Sequence, residues 1–236
     1  MTSHLVQPTT LGTVVVTGGS SGLGAAVVRA VAKAGGRPAV IDLAQPEDDS
    51  VPFVVADLAD TASAAAAVGR LVDVAGPPDA VVTAAGTDAC GPLGGVPAED
   101  WERVVRVNLF GTAAVVRAAL PHLVTRRGRV VTVASTLGLR AVGDATAYCA
   151  SKFGVVGFTR ALAAELAGQV AVTLLVPGGM RTRFFDGRPE QYRPGPDAAL
   201  NDPDDVAATV LTALLQPWGC EVRELVVASS QEPSWP

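Results

Sequence analysis

From Thr13 onward, short runs of β-branched and other apolar residues alternate with longer Ala-rich stretches of helical character. This is the pattern of βαβ units built on a parallel sheet. It predicts seven strands, at residues 13–16, 38–42, 53–56, 80–83, 129–134, 171–176 and 221–227. Most are continuous apolar runs rather than alternating ones, as parallel strands covered by helices on both faces require. Six helices fill the gaps, at residues 22–34, 61–74, 99–107, 109–124, 147–167 and 203–215. Residues 87–98 and 178–202, which follow the fourth and sixth strands, show neither period. Loops of that length usually serve as lids or binding loops, and open α/β sheets bind ligands beyond the carboxyl ends of their strands.

Composition narrows the class. With 236 residues, 49% hydrophobic and 17% charged, the chain suits one large core. The expectation is a single dinucleotide-binding and catalytic domain over residues 1–236, with flexible tails at 1–11 and 229–236 and a substrate loop at 178–202. A mean hydropathy of +0.35 excludes a disordered chain. No apolar run approaches the roughly 18 to 20 residues of a membrane span before a charge or a Pro/Gly cluster interrupts it. Met1 to Thr10 carries neither a basic n-region nor a long apolar core, so a cytoplasmic location is expected. The net charge is −5, and the basic residues are scattered apart from Arg126, Arg127 and Arg129. That cluster reads as a solvated helix C-terminus rather than a nucleic-acid footprint. Cys90, Cys149 and Cys220 are odd in number and far apart, and with only His4 and His122 beside them predict neither disulfides nor a metal site. Lys33 and Lys152 are the sole lysines among 18 basic residues, so each marks a place where arginine was not used.

The first strand runs into Thr17, Gly18, Gly19, Ser20, Ser21, Gly22, Leu23 and Gly24, and a helical pattern follows at once. Glycines in a strand-to-helix turn allow backbone to approach a pyrophosphate closely, and the helix N-terminus supplies free N–H groups and a positive dipole end. The Gly-x-x-x-x-Gly-Lys loop of nucleotide triphosphatases is absent. Asp42 closes the second strand 18 residues beyond Gly24, near where an acid accepts hydrogen bonds from the adenosine ribose and repels a 2′-phosphate. With Leu43 rather than a basic residue next to it, NAD is expected over NADP. Asp57, in Ala56-Asp57-Leu58, either faces the adenine or caps the following helix.

Tyr148 and Lys152, at i and i+4 on one helix, put a phenol beside an ammonium. A free tyrosine titrates near 10, so acid/base work near neutrality calls for a cation that favours phenolate. Ser135 follows the fifth strand, 13 residues before Tyr148, and Asn108 follows the third predicted helix. Together with Thr17-Gly18-x-x-x-Gly22-x-Gly24, these residues resemble the short-chain dehydrogenase/reductase family in its short single-domain form, over residues 13–227.

The resemblance implies an α/β, doubly wound Rossmann fold with a seven-stranded parallel sheet and helices on both faces. It implies a hydride exchanged between a nicotinamide and a secondary alcohol or ketone carbon. Tyr148 would exchange the hydroxyl proton, and Lys152 would bind the nicotinamide ribose and lower the phenol pKa. Ser135 would hold the substrate oxygen, and Asn108 would support a water-linked relay through the lysine. The expected cofactor contacts are Gly18, Ser20, Ser21, Gly22, Leu23, Gly24, Asp42, Leu43, Asp57, Leu58, Ala84, Ala85, Gly86, Tyr148, Lys152, Pro177, Gly178 and Thr182. Those expected for substrate are Ser135, Leu137, Tyr148, Gly179 and Phe184. Leu139, Val142, Met180, Phe185 and Tyr192 make the surround largely apolar, with Asp144, Arg181 and Arg183 as polar anchors, which suits a hydrophobic substrate.

One departure stands out: Thr83-Ala84-Ala85-Gly86 replaces a run that in the family often begins with Asn, so a side-chain hydrogen bond is altered. The weakly charged fourth and fifth helices predict burial between subunits, in a dimer or tetramer. The rival readings are a dinucleotide-binding regulator without turnover, which has no use for the serine and tyrosine, and a sugar-nucleotide epimerase or dehydratase, which usually carries a larger C-terminal region. A methyltransferase would leave the four matched residues unexplained.

Overall fold

The computed structural model describes residues 11–234. Its strands are β1 (Thr13–Thr17), β2 (Arg37–Asp42), β3 (Phe53–Val55), β4 (Ala80–Thr83), β5 (Arg129–Val133), β6 (Ala171–Pro177) and β7 (Glu224–Val227). They form one sheet in the order β3-β2-β1-β4-β5-β6-β7, every neighbouring pair parallel. The chain winds outward from β1 to β3, returns to lay β4 against the other side of β1, and winds out again to β7. The reversal leaves a crevice at the carboxyl ends of β1 and β4, where Thr17 pairs with Thr83.

Side chains alternate across each strand, so the inner strands feed two cores, whereas the edge strand β7 packs one face only, through Leu225 and Val227. Val15, Val81, Val130 and Val172 face α2 (Thr61–Ala75), α4 (Thr112–Arg126) and α5 (Thr146–Glu165), meeting Leu71, Val115, Val116 and Leu162. Val14, Val16, Val82 and Val131 face the opposite way, against Val27 and Val31 of α1 (Gly22–Lys33) and Val206, Val210 and Leu214 of α6 (Pro203–Leu214). Burial on both faces explains why these strands read as unbroken apolar runs. The doubly wound architecture expected from the sequence is the one observed.

Several local expectations differ. The break expected at Asn108 is absent: α3 (Ala98–Val105), a π turn at Arg106–Gly111 and α4 run on as one helix. The π turn accommodates an extra residue and leaves Asn108 buried in mid-helix rather than beyond a helix end. The joined helix Ala98–Arg126, 29 residues with a mean hydropathy of 1.4 over its most apolar stretch, is long and apolar enough to cross a membrane, contrary to the sequence expectation. Its apolar residues Val104, Val107, Val115, Val116, Ala119 and Leu123 are instead buried within the protein. Asp60, not Asp57, caps α2, accepting from the N–H groups of Ala62 and Ser63 at 2.9 and 3.1 Å. Arg126 and Arg127 stand exposed at the C-terminus of α4, as expected, Arg126 paired with Asp79 at 2.7 Å and Arg127 over the Trp218 ring, while Arg129 begins β5 and is partly buried.

Thr83 is 1% exposed, and its hydroxyl has no hydrogen-bond partner among the described residues. A buried hydroxyl without a partner carries its full desolvation cost, about 1 kcal/mol or more. Thr83→Val keeps the shape and removes that cost, so thermal unfolding of the ligand-free variant is expected to occur a few degrees higher. An unchanged or lower midpoint would count against an orphaned hydroxyl.

Candidate active site

A cavity of about 1080 Å³ occupies the crevice. At its first end is the glycine turn, shaped by contacts a side chain would destroy. A Cβ on Gly24 would lie 2.0 Å from the Gly18 carbonyl oxygen, and one on Gly18, at φ +70°, would lie 2.7 Å from Ala85 Cα. Ser21 sits at the N-cap of α1 with no side chain capping the first turn, and that turn carries no acidic residue. The positive end of the helix dipole therefore faces the cavity without a neutralising partner.

Asp42 fixes the next wall. One of its oxygens accepts from Ser20 N at 2.9 Å, and the other from Leu43 N at 2.6 Å and Ala44 N at 3.3 Å. The carboxylate thus ties the glycine turn to the end of β2 while keeping lone pairs for a ligand. Leu43, Asp57, Leu58, Ala84, Ala85 and Gly86 continue the lining. Asp57 accepts from Ala59 N at 2.9 Å and from Arg103 at 3.0 and 3.2 Å, and these bonds, the first above all, hold its carboxyl below its ordinary pKa. Ser20 and Gly24, expected as cofactor contacts, do not line the cavity. The Ser20 hydroxyl bonds the Ala44 carbonyl and its N–H bonds Asp42, while Gly24 serves the packing of α1 on the turn.

The far end holds Tyr148, Lys152 and Ser135, all buried and all on the cavity wall. The first turns of α5 present the phenol and the ammonium side by side, with Lys152 Nζ 5.6 Å from the Tyr148 ring centre. Lys152 donates to the Val133 carbonyl at 2.8 Å, and burial pulls its pKa down to about 8. Burial likewise pushes the Tyr148 phenol up to about 12, opposed by a hydrogen bond with Ser135. The lowering of the phenol expected from Lys152 is not found in the ligand-free chain, where burial dominates and the opposing groups are Ser135 and Arg188. Asn108 lies behind this row, not on the cavity wall. Its amide donates to the Thr87 carbonyl at 2.9 Å and to Ser151 Oγ at 3.0 Å, and accepts from Thr87 N at 2.8 Å. It clamps the chain after β4 to α5, and a Cβ on Gly86 would lie 3.5 Å from its Oδ1 and 3.7 Å from Lys152 Nζ.

Leu137, Met180, Phe184, Phe185, Gly179, Arg183, Pro177, Gly178 and Thr182 all line the cavity as expected, and Thr182 stands opposite Gly22. Leu139, Val142, Asp144, Arg181 and Tyr192 do not. Tyr192 donates to Asp144 at 2.9 Å, Leu139 packs beside Val155 and Val176, and Val142 is exposed. Where a flexible tail was expected, residues 231–234 lie along the cavity. Glu232 accepts from Gly179 N at 2.8 Å, and the Ser234 and Thr136 hydroxyls are bonded at 2.7 Å. Trp235 and residues 1–10 fall outside the described residues. Sequence reasoning missed Thr136, Arg188 and Glu232. Only Arg188 had a signal, its place in the long loop after β6; the polar Gln231-Glu232-Pro233-Ser234 has the composition of a free end.

Residues 12–193 match the family model described as short chain dehydrogenase. The chain is 36% identical over 186 residues to a 2-dehydro-3-deoxy-L-rhamnonate dehydrogenase (NAD(+)) of Sphingomonas sp., covering 75% of each protein. It is 30% identical over 197 residues to a D-beta-hydroxybutyrate dehydrogenase of Rhizobium meliloti, covering 77% of this chain and 76% of the relative. Among solved structures, an alcohol dehydrogenase of the archaeon Thermococcus sibiricus, complexed with 5-hydroxy-NADP, superposes with a TM-score of 0.82 at 24% identity, covering 93% of this chain and 97% of that one.

Proposed function

The chain belongs to the short-chain dehydrogenase/reductase family, and from that premise we propose that it exchanges a hydride between NAD and the carbon of a secondary alcohol or ketone. The observation that carries the reading is that Tyr148, Lys152 and Ser135 open on the same cavity as the glycine turn. That cavity is large enough for a dinucleotide with a small substrate, and its glycine end leaves no room for side chains. The turn and the first turn of α1 would hold the pyrophosphate, Asp42 the adenosine ribose, and Lys152 the nicotinamide ribose. A bound nicotinamide supplies the hydride donor or acceptor.

The protein's own part is proton transfer and placement. Ser135 hydrogen-bonds the phenol, and holds the substrate oxygen beside it. In the reductive direction Tyr148 Oη gives its proton to that oxygen; in the oxidative direction its phenolate takes the proton back. Burial excludes water from the exchange. Asn108 holds the chain after β4 against α5, the helix that carries the lysine. Leu137, Met180, Phe184 and Phe185 make the substrate end chiefly apolar, which supports a hydrophobic substrate. The names of relatives such as meso-2,3-butanediol dehydrogenase support a small alcohol.

Asp42 supports NAD over NADP, because a second negative charge beside its carboxylate is repelled. NADH is expected to bind wild type more tightly than NADPH, and Asp42→Asn to narrow that preference by about 10-fold or more, a change of about 1.4 kcal/mol. Fluorescence titration with both nucleotides checks this; equal affinities for wild type would remove the assignment. Phe110, Val124 and Phe153, exposed on the π turn, α4 and α5, support pairing of these helices between subunits.

A further inference from the structure

Two loops meet over the phenol, and a pair of charges joins them. Asp88, after β4, and Arg188, in the loop after β6, form an ion pair at 2.6 Å with side chains only 5% and 18% exposed. Asp88 also accepts from its neighbour Ala89 N at 2.7 Å and from the Cys90 thiol at 3.1 Å. The Arg188 guanidinium lies over the rings of Phe184 and Phe185, at 5.1 and 4.6 Å from their centres. Phe184 in turn packs against Tyr148, with ring centres 5.7 Å apart. An unbroken line of contacts runs from Asp88 through Arg188 and Phe184 to the phenol.

A buried ion pair contributes little net stability, since desolvation consumes the attraction. Its place in the molecule is the better guide. Arg188 lines the cavity and has one buried N–H, at Nε, without a hydrogen-bond partner. A guanidinium held at such cost on two aromatic faces is positioned by Asp88, and it seats Phe184 against the tyrosine. We propose that Asp88 and Arg188 are positioning residues for Tyr148, latching the two loops together and balancing each other's field at the phenol. This rests on Tyr148 as the acid/base group. The other groups acting on the phenol are Ser135 from the segment after β5, and Lys152 and Cys149 from its own helix. α3 contributes Trp101 and Val104 to the same cluster, neither of them charged.

Field balance makes a prediction that mere loop stapling does not, because removing either charge unmasks the other. The chain has two tyrosines, so Tyr192→Phe leaves Tyr148 as the only one, and tyrosinate absorbance on raising the pH then reads its ionisation directly. In that background Asp88→Asn leaves Arg188 unbalanced and is expected to move the titration down by about one pH unit. Arg188→Met leaves Asp88 unbalanced and moves it up. The double variant returns it to the starting position. At about pH 10.5 the phenolate fraction should accordingly rise several-fold in the first variant, fall in the second and be restored in the third. Arg188→Lys, which keeps the charge but loosens the seat on Phe184, should leave the titration in place and raise KM more than it lowers kcat. Should a single variant fail to fold, Asp88→Ser and Arg188→Gln test the same two signs. Single variants that shift the phenol in the same direction, or not at all, overturn the proposal. The titration needs no turnover, so it is independent of whether Tyr148→Phe is inactive, the result on which the acid/base reading itself stands or falls.

Discussion

Tyr148→Phe is expected to lower turnover by about 10³-fold while leaving NADH affinity within about twofold. The substitution removes one oxygen and keeps the ring. That ring packs with Val104 and Ala147 and lies 5.7 Å from Phe184, contacts a phenylalanine reproduces. The loss therefore falls on proton transfer, and positioned acids and bases typically contribute 10² to 10⁴ in rate. The direction of the reaction matters to how this is read. With burial pushing the phenol up to about 12, the hydroxyl is protonated across the physiological range. It is ready as an acid for carbonyl reduction, whereas alcohol oxidation must first form phenolate. Below that pKa, the phenolate fraction rises tenfold per pH unit, so kcat/KM for oxidation should climb with pH and that for reduction should not. Nicotinamide absorbance with a panel of hydrophobic alcohols and ketones measures both. A variant that retains more than a tenth of wild-type turnover would exclude Tyr148 as the acid/base group.

The sheet was legible in the sequence because its inner strands are buried on both faces and so announce themselves as apolar runs; 129–134 and 171–176 are the clear cases, while the edge strands β3 and β7 are partly exposed. The glycine turn was legible because Gly18 and Gly24 occupy places where a Cβ has no room. Tyr148 and Lys152 were legible because they lie one helical turn apart. What escaped depends on distance along the chain. Asn108 falls between two helices in the sequence reading, yet it is satisfied by Thr87 and Ser151, and the helix runs through it. Ser20 and Gly24 sit inside the cofactor motif but turn away from the cavity, Ser20 toward Asp42 and Ala44 and Gly24 against Gly18, a matter of backbone direction that spacing does not record. Asp88 and Arg188 are a hundred residues apart, and Glu232 docks on Gly179 from the far end of the chain. No local period marks such pairs, because the contact exists only once two loops have been placed by the sheet.

Lys152→Met should alter the pH dependence of stability as sharply as Tyr148→Phe alters the rate. The lysine is 4% exposed, and burial depresses its pKa from 10.5 to about 8. Below pH 8 it is charged in both folded and unfolded chains, and the full cost of burying the ammonium weighs on the fold. Between about 8 and 10.5 the folded protein has released this proton and the unfolded chain still holds it, so stability rises with pH. Each pH unit in that window is worth up to about 1.4 kcal/mol, and the whole on the order of 3 kcal/mol. Methionine fills a similar volume and carries no charge. It leaves the Val133 carbonyl without its donor, a cost that is the same at every pH and cancels from the slope. The stability of wild type minus that of Lys152→Met, from urea unfolding of the ligand-free proteins, should therefore be flat up to about pH 8 and then increase toward 10.5. A difference that stays flat through this range would mean the ammonium is solvated. The same group gives the site its cation beside the phenol, so the variant should also lose turnover. A residue whose charge destabilises the fold below pH 8 is placed for the chemistry of the cavity rather than for the core around it.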